Sequence, residues 1–188
     1  HFMFNALNSI QEYIMLNERK LAGKYLGKFA DLMRTYLNHS RSDYISLSDE
    51  VAAIYLYLDL EKLRFQETLN FEVDIADDVD IFQISIPSML IQPYIENAIK
   101  HGLLHKREDR NLTIRFYMED IEVLICEVID NGVGRTKSME INQMRSPGHQ
   151  SFATTATKRR LDLLNSSRIK NITEEITDLY DDNRIAEG

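Results

Sequence analysis

The sequence predicts an α+β fold in which a helical region is followed by a region that mixes strands with helices. Apolar residues recur at the three-to-four-residue spacing of a buried helix face from the start of the chain to about residue 66. From residue 67 the spacing changes to two, which is the period of a half-buried strand. We place a domain boundary at this change, between a helical domain at 1–66 and a second domain at 67–188.

The composition is that of an acidic globular protein. The chain has 188 residues, of which 44% are hydrophobic and 28% charged, so a sizeable core is expected. A net charge of -8 argues against a nucleic-acid-binding or anionic-membrane-binding surface. The single cysteine, Cys126, excludes an internal disulfide and a cysteine-based zinc site, and we predict a small buried residue in an intracellular protein. No apolar run approaches the ~20 residues that span a bilayer, so membrane attachment is expected only through segments outside this chain.

The helical domain is predicted to begin with two amphipathic helices separated by a break at Asn17. The first buries one seam, formed by Met3, Leu7, Ile10 and Ile14. The second, from about residue 21 to 37, has two adjacent apolar rows: Tyr25, Phe29, Leu32 and Tyr36 in one, and Leu26, Ala30, Met33 and Leu37 in the other. A single helical hairpin cannot bury so wide a stripe, so the pattern favours a homodimer whose two hairpins form a four-helix bundle.

A third helix follows in the stretch 46–65. Ser46 or Ser48 is its N-cap, and Asp49 and Glu50 in the first turn complement the helix dipole. The predicted buried face consists of Val51, Ile54, Tyr55, Leu58 and Phe65.

The second domain is predicted to alternate strands and helices. Strands are expected at 69–75, 81–86, 111–118, 121–130 and 171–180, and helices at 88–102 and 152–165. Pro93 is tolerable only near a helix start or at a kink, Gly102 is expected as a C-cap, and Glu119 and Asp120 as a hairpin turn. The polar stretch 131–151 reads as a loop, and a loop of this length is either functional or disordered.

The string "IENAIKHG" at 95–102 is the first with a chemical pattern. It places Asn97, Lys100 and His101 near the end of one helix. An asparagine oxygen can coordinate hydrated Mg2+, and lysine and histidine can contact phosphate oxygens. Taken alone, however, this string is better explained as the polar face of an amphipathic helix.

The string "DNGVG" at 130–134 ends an apolar strand and precedes the long polar stretch. Asp130 can accept a hydrogen bond from an exocyclic amine, and Gly132 and Gly134 allow the backbone to pass close to a flat ligand. A "DNG" alone is a common turn. Its place about thirty residues after the Asn-Lys-His helix makes it informative.

Together, these strings resemble the nucleotide-binding half of sensor histidine kinases. More narrowly, "HFMFNALNSI", "LSDEVAAIYLYLDLEKLRF" and "IQPYIENAIKHG" resemble the LytS-type branch, whose phosphoacceptor lies in a "PHFLFN" motif. The match extends from residue 1 to about residue 165. It implies a GHKL (Bergerat-type) α/β sandwich that binds ATP in the second domain and lacks its last strand.

The resemblance implies a role for each matching residue in the first motifs. His1 matches the histidine that accepts the γ-phosphoryl group of ATP, and Asn97 matches the Mg2+-binding asparagine. Lys100 and His101 match the positions that contact the phosphates.

In the later motifs, Asp130 matches the aspartate that recognises the adenine amine. Gly132 and Gly134 match the first glycine box, and the stretch 135–152 matches the ATP lid. The family also implies a homodimer, a response-regulator receiver domain that takes the phosphoryl group on an aspartate, and a cytoplasmic domain of an inner-membrane protein.

The second glycine box departs from the family pattern. Ser151 and Ala153 replace its two glycines. These substitutions are expected to affect phosphate binding more than adenine recognition. Backbone N–H groups can still hold phosphate if no positive φ is required there, and the hydroxyl of Thr154 or Thr155 could add a donor, or Gly148 could serve instead. If positive φ is required, the substitutions cost roughly 1 kcal/mol or more and misshape the lid.

Pro93 distinguishes this chain from the ATP-hydrolysing relatives of the same superfamily. Those proteins carry a water-activating glutamate one helical turn before the asparagine, at the position that Pro93 occupies here. A proline cannot act as a base, which favours transfer to a protein nucleophile over hydrolysis.

Two other functions remain open from the sequence. A dimeric interaction module without catalysis would explain Ser151 and Ala153. A serine protein kinase of the anti-sigma type shares the nucleotide motifs, but it would not need the N-terminal helical hairpin.

Overall fold

The computed structural model describes residues 2–145, 152–166, 171–180 and 188, without the side chains of 2, 142–145 and 152–157. It has helices and strands in one chain and confirms the α+β class. The chain forms two compact units, residues 1–92 with 108–128 and residues 93–107 with 129–188. The boundary predicted between residues 66 and 67 stays a prediction. None of the helices in the described ranges is long and apolar enough to cross a bilayer.

The first two helices are α1 (Phe2–Met15) and α2 (Arg19–His39), which pack against each other. Asn17 lies between them with φ 58°, in the left-handed region that ends a helix, so the predicted break is confirmed. The rings of Tyr13 and Tyr25 lie 6.1 Å apart across this contact, and Tyr25 is fully buried.

Much of the predicted apolar seam is exposed in the single chain. Ile10 is buried, whereas Met3, Leu7 and Ile14 are 56%, 50% and 62% exposed. The two apolar rows of α2 differ in burial. Tyr25 and Leu32 of the first row are buried, whereas Leu26 and Leu37 of the second row are 52% and 65% exposed. The packing within one chain therefore covers only part of the stripe.

The third helix, α3, spans Leu47–Arg64. Ser46, not Ser48, is its N-cap, because the Ser46 Oγ accepts a hydrogen bond from the Asp49 N–H at 3.1 Å. Val51, Ile54, Leu58 and Phe65 are buried as predicted.

Tyr55 was wrongly predicted to belong to the buried face of α3. It is 43% exposed, and its ring meets that of Phe71 edge-on at 6.2 Å between centroids. Tyr57 is buried instead, because α3 is covered on more than one side.

A two-stranded antiparallel sheet joins β1 (Tyr44–Ser46) to β3 (Ser85–Pro87), with Tyr44 opposite Pro87. β1 has no counterpart among the predicted strands, and the strand predicted at 81–86 begins too early. Residues 81–83 form a turn instead, in which the Asp80 carboxylate accepts the N–H of Phe82 at 3.0 Å.

The larger sheet has the order β2–β4–β5, with β2 at Leu69–Ile75, β4 at Arg110–Asp120 and β5 at Val123–Asp130. β2 and β4 are parallel, with Leu69 opposite Arg110. These three strands confirm the prediction, but the hairpin turn lies at 121–122 and not at Glu119 and Asp120. β4 continues to Asp120, whose Oδ1 accepts the Ile121 N–H at 2.7 Å and begins the turn.

The next helix is shorter than predicted and changes its winding. The α-helix α4 spans Gln92–Asn97, followed by a π-helical turn at Ala98–Gly102 and a 3-10 turn at Leu103–His105. Pro93 lies at the second position, in agreement with the prediction for a helix start. Gly102 is not a left-handed C-cap as predicted, since its φ is -91° and the chain continues to wind.

Two further helices follow β5 in the described part of the chain. α5 spans Arg135–Arg145, where a loop was predicted, and α6 at Phe152–Ser166 confirms the last predicted helix. The strand predicted at 171–180 is wrong, since these residues are irregular apart from a single bridge at Tyr180. The Asn165 side chain holds this segment by donating to the Ile172 carbonyl and accepting its N–H, both at 2.8 Å.

Candidate functional site

Asn97, Lys100 and His101 lie where α4 passes into its π-helical turn. Asn97 ends the α-helix, and Lys100 and His101 belong to the wider turn. Ile95 and Ile99 are buried and hold this helix, whereas Asn97 and His101 are half-buried and Lys100 is exposed. A π-helical turn inside a helix is frequent at functional sites.

The surroundings of His101 favour the neutral imidazole. Burial lowers its pKa below the ordinary value of 6.5, and the positive charges of Lys100 and His105 lower it further. A neutral ring offers a hydrogen-bond donor at one nitrogen and an acceptor at the other.

Asp130 ends β5 and turns its carboxylate back onto the following backbone. Its Oδ1 accepts the N–H of Gly132 at 2.8 Å. Burial raises the pKa of Asp130, and the Gly132 N–H and the charge of Lys106 oppose that rise. A carboxylate has about four lone-pair positions, so it can accept from a ligand amine in addition to this amide.

The helix end and the "DNG" turn meet through their glycines. A Cβ on Gly102 would lie 2.2 Å from Asp130 Oδ1, and one on Gly132 would lie 2.3 Å from the Gly102 Cα. The N–H of Val133 donates to the Gly102 carbonyl at 3.4 Å. The structure therefore brings together the two motifs that the sequence analysis singled out, and only residues without a side chain fit at Gly102 and Gly132.

Gly134 has a separate reason for being glycine. Its φ is 75°, in the left-handed region, and its carbonyl accepts the Ser138 N–H at 3.1 Å as α5 begins. The turn from β5 into α5 thus depends on Gly134.

Lys106 belongs to the site although no sequence motif includes it. Its Nζ donates to the Asn131 carbonyl at 2.8 Å, and its charge acts on Asp130. It lies 25 positions before Asn131, and no local pattern joins the two.

The segment 171–180 brings two more missed contacts. Tyr94 of α4 is hydrogen-bonded to Glu174, and burial, together with that carboxylate, raises the pKa of Tyr94 to about 12. Arg135, the first residue of α5, donates to both carboxylate oxygens of Asp178, at 2.6 and 2.7 Å.

Several predicted site residues lie outside the described structure. His1 and Ser151 are not described, nor is Gly148, and Ala153 and Thr154 are described only as backbone of α6. The phosphoacceptor and the second glycine box therefore stay predictions.

Within the described ranges, no group of three or more His, Cys, Asp and Glu side chains is arranged to hold a metal ion. Mg2+ does not require such a group, since it commonly keeps several waters and takes one or two protein oxygens with substrate phosphates. Asn97 fits the part of a single protein ligand, because its half-buried amide lies at the last residue of α4.

Comparison with known proteins points to one family. A family model described as histidine kinase matches residues 1–69. "Sensor protein LytS" of Staphylococcus haemolyticus (strain JCSC1435) is 34% identical over 134 residues, which are 71% of this chain and 22% of that protein. "Sensor protein kinase HptS" of Staphylococcus aureus (strain USA300) is 31% identical over 140 residues, 73% of this chain and 25% of that protein.

The chain belongs to the LytS-type sensor histidine kinases. It spans only about a quarter or less of the length of the relatives given above. A solved structure of a bacterial phosphotransferase can be superposed on 94% of this chain. The match covers 86% of the phosphotransferase chain, with a TM-score of 0.48 and 14% sequence identity. That likeness is too low to add to the family assignment.

Proposed function

We propose that this chain is the kinase core of a two-component sensor, which binds Mg-ATP and transfers the γ-phosphoryl group to His1. The observation that carries the proposal is the backbone contact of Gly102 with Gly132 beside Asp130. In the proposal, Asp130 recognises adenine beside the helix whose residues contact the phosphates. The membership of the chain in the histidine kinase family supports the same function.

The proposed binding mode divides the nucleotide between two elements of the unit formed by 93–107 and 129–188. Asp130 accepts the exocyclic amine of adenine, for which its ionised carboxylate is the stronger acceptor. Lys100 and His101 contact the phosphates, and Asn97 holds Mg2+. Bound Mg2+ supplies positive charge to the β- and γ-phosphates.

His1 acts as the nucleophile in the proposed reaction. A neutral imidazole nitrogen forms a bond to the γ-phosphorus in line with the leaving oxygen of ADP, and the bond from that oxygen to phosphorus breaks. The phosphoryl group then passes to an aspartate of a response-regulator receiver domain. Pro93 supports this over hydrolysis, because the position one turn before Asn97 offers no base to activate water.

The finer architecture is also part of the proposal. We assign α1 and α2 to a hairpin that forms a four-helix bundle with a second copy, and the β2–β4–β5 sheet to a Bergerat-type sandwich. The stretch 135–152 is the lid, of which α5 and the backbone of Phe152 are described. The whole protein is proposed to place this domain in the cytoplasm beside an inner membrane.

Calorimetry with a non-hydrolysable ATP analogue tests the nucleotide site. The chain is expected to bind the analogue more tightly with Mg2+ than without it, and Asn97→Ala is expected to abolish that Mg2+ dependence. Asn111→Ala is the control, because Asn111 lies on β4 and bonds to Asn70 and Asp109. The proposal would be contradicted if the unsubstituted chain did not bind the analogue. It would also be contradicted if binding by Asn97→Ala depended on Mg2+ as strongly as binding by the unsubstituted chain.

The second candidate is a dimeric interaction module that has lost ATP use. Ser151 and Ala153, in place of the second pair of glycines, are the observation that favours it. The same titration separates the two functions, since this module would show no Mg2+-dependent binding.

A further inference from the structure

Ser138 is the most deeply buried side chain in the part of α5 whose side chains are described, residues 135–141. It is 3% exposed. The residues nearest to it along the helix are exposed: Arg135, Thr136, Lys137, Met139 and Glu140. α5 packs against the π-helical turn at Ala98–Gly102. A helix normally places apolar residues on the face that it buries, but α5 buries a hydroxyl group there.

The Ser138 hydroxyl has no hydrogen-bond partner among the described residues, and its oxygen is shielded from solvent. A serine inside a helix can donate to the carbonyl one turn earlier. That carbonyl belongs to Gly134 and accepts the Ser138 N–H at 3.1 Å, but the Ser138 hydroxyl forms no bond to it. Because a buried hydroxyl without a partner is unfavourable, this position of α5 costs free energy that a partner would recover.

The turn before α5 allows the helix to change its position. Gly134 precedes α5 directly and has φ 75°, and glycine adopts positive and negative φ about equally readily. Arg135, the first residue of α5, donates to both carboxylate oxygens of Asp178. A shift of α5 is therefore a rotation about its first turn, which moves Ser138 relative to the π-helical turn.

The surroundings of Ser138 indicate the chemistry of its partner. The π-helical turn against which α5 packs carries Lys100 and His101, the residues proposed to contact the phosphates. A serine hydroxyl donates one hydrogen bond, and phosphate oxygens are strong acceptors. We propose that Ser138 is a nucleotide-binding residue, whose hydroxyl donates to a phosphate oxygen when α5 rotates onto the bound nucleotide. This inference rests on the proposed function.

Ser138→Ala in the full chain tests the inference through two effects. The substitution removes the hydroxyl and little else. Without nucleotide, the variant is expected to be more stable, with a Tm higher by about 2–4 °C, because an unpaired buried group is lost. The Kd of the non-hydrolysable ATP analogue with Mg2+ is expected to rise on the order of tenfold, because a donor to phosphate is lost.

Thr136→Ala and Ser88→Ala are the matched controls. Thr136 is exposed on α5, so its substitution reproduces the gain in helix propensity alone, with a smaller rise in Tm and an unchanged Kd. Ser88 is 5% exposed, but its Oγ donates to the His39 carbonyl at 2.9 Å. Ser88→Ala is therefore expected to lower the Tm, as the loss of a paired buried hydroxyl should.

Binding of adenosine separates the phosphates from the rest of the nucleotide. Adenosine has the base and the sugar but no phosphate, so its Kd is expected to be the same for the unsubstituted chain and for Ser138→Ala. Equal weakening of adenosine and of the ATP analogue would place the hydroxyl on the base or the sugar and would overturn the inference.

The remaining outcomes distinguish this inference from the function beneath it. If the unsubstituted chain binds the analogue and Ser138→Ala binds it equally well or more tightly, the inference is overturned and the proposed function stands. A Ser138→Ala chain that is less stable than the unsubstituted chain, or that does not fold, would show that the hydroxyl already has a partner, which also overturns the inference. If the unsubstituted chain does not bind the analogue, the proposed function fails and the inference falls with it.

Discussion

At the scale of single residues, Asp130 combines an unfavourable environment with a predicted role in binding. Burial raises its pKa, so its charged form costs free energy in the folded chain near neutral pH. A residue retained for stability alone would not need this charge.

Asp130→Asn is therefore expected to separate binding from stability. The variant should raise the Kd of the ATP analogue by about ten- to a hundredfold, the loss of one hydrogen bond to a charged group. Because a raised aspartate pKa gives stability below pH 3.8 that is lost as the pH rises, the variant should be at least as stable at pH 7. Calorimetry measures the Kd and thermal unfolding measures the stability, with Asp120→Asn as the control for both. An Asp130→Asn variant that is less stable than the unsubstituted chain at pH 7 would contradict the account.

His101 predicts a dependence of stability on pH with the opposite sign. Its folded pKa is lowered from 6.5, so its contribution to stability is full above that value and is lost as the pH falls through the lowered pKa. Unfolding free energies measured from pH 7.5 to 5 should decline less steeply in His101→Gln.

His39 provides the comparison for His101. Burial lowers its pKa too, so His39→Gln should reduce the slope in the same direction. An unchanged slope in His101→Gln would show that its imidazole is not kept neutral by the fold.

The residue-level site was only partly predictable from sequence. Asp130 and Gly132 could be found because they lie two positions apart where an apolar strand ends. Lys106 could not, because its contact with the Asn131 carbonyl depends on the path of the chain between them. The sequence predicts a helix C-cap at Gly102, whereas the glycine is required by its close approach to Gly132, a tertiary contact that no local pattern shows.

At the scale of elements, the contact of the π-helical turn with the end of β5 should be sensitive to one added methyl group. Gly102→Ala would place its Cβ 2.2 Å from Asp130 Oδ1. We expect the free energy of unfolding to fall by about 1–3 kcal/mol, as in an overpacked core, and binding of the ATP analogue to weaken. Chemical denaturation measures the first effect.

Gly23→Ala is the matched control, because the added Cβ would meet nothing within 4 Å on α2. It is expected to increase the free energy of unfolding by roughly 0.5–1 kcal/mol, the gain of alanine over glycine inside a helix. Equal effects of the two substitutions would show that the close contact at Gly102 is not formed.

The long elements were predictable and the short ones were not. β2, β4 and β5 are long enough for a period of two to show, whereas β1 and β3 have three residues each. α5 lacks a clear apolar period in its sequence and therefore reads as a loop, although arginine, lysine, methionine and glutamate favour helices. Tyr57 is buried and Tyr55 is exposed because of tertiary packing around α3, which the helical period does not show.

At the scale of the whole molecule, the exposed apolar residues of α1 and α2 predict a dimer. Leu26→Lys, at a side chain 52% exposed in the single chain, should raise the dimer dissociation constant by tenfold or more, since burying a leucine contributes about 1.5–3 kcal/mol. Sedimentation equilibrium measures this. Ile121→Lys, at a side chain 91% exposed in the β4–β5 turn, should have no effect.

A monomeric unsubstituted chain, or equal dissociation constants for the two variants, would contradict the dimer. The sequence could predict this surface because the wide apolar stripe exceeds what one hairpin covers. It could not predict how the chain divides into units at 1–92 with 108–128 and 93–107 with 129–188, because that division follows from contacts between distant segments.

Incubation with Mg2+ and ATP labelled at the γ-phosphorus tests the central claim most directly. We predict an acid-labile, base-stable label on the unsubstituted chain, no label on His1→Gln, and the usual label on His105→Gln as a histidine control. Absence of label from a chain that binds Mg-ATP, or a label that persists in His1→Gln, would contradict the assignment of this chain as a histidine kinase core.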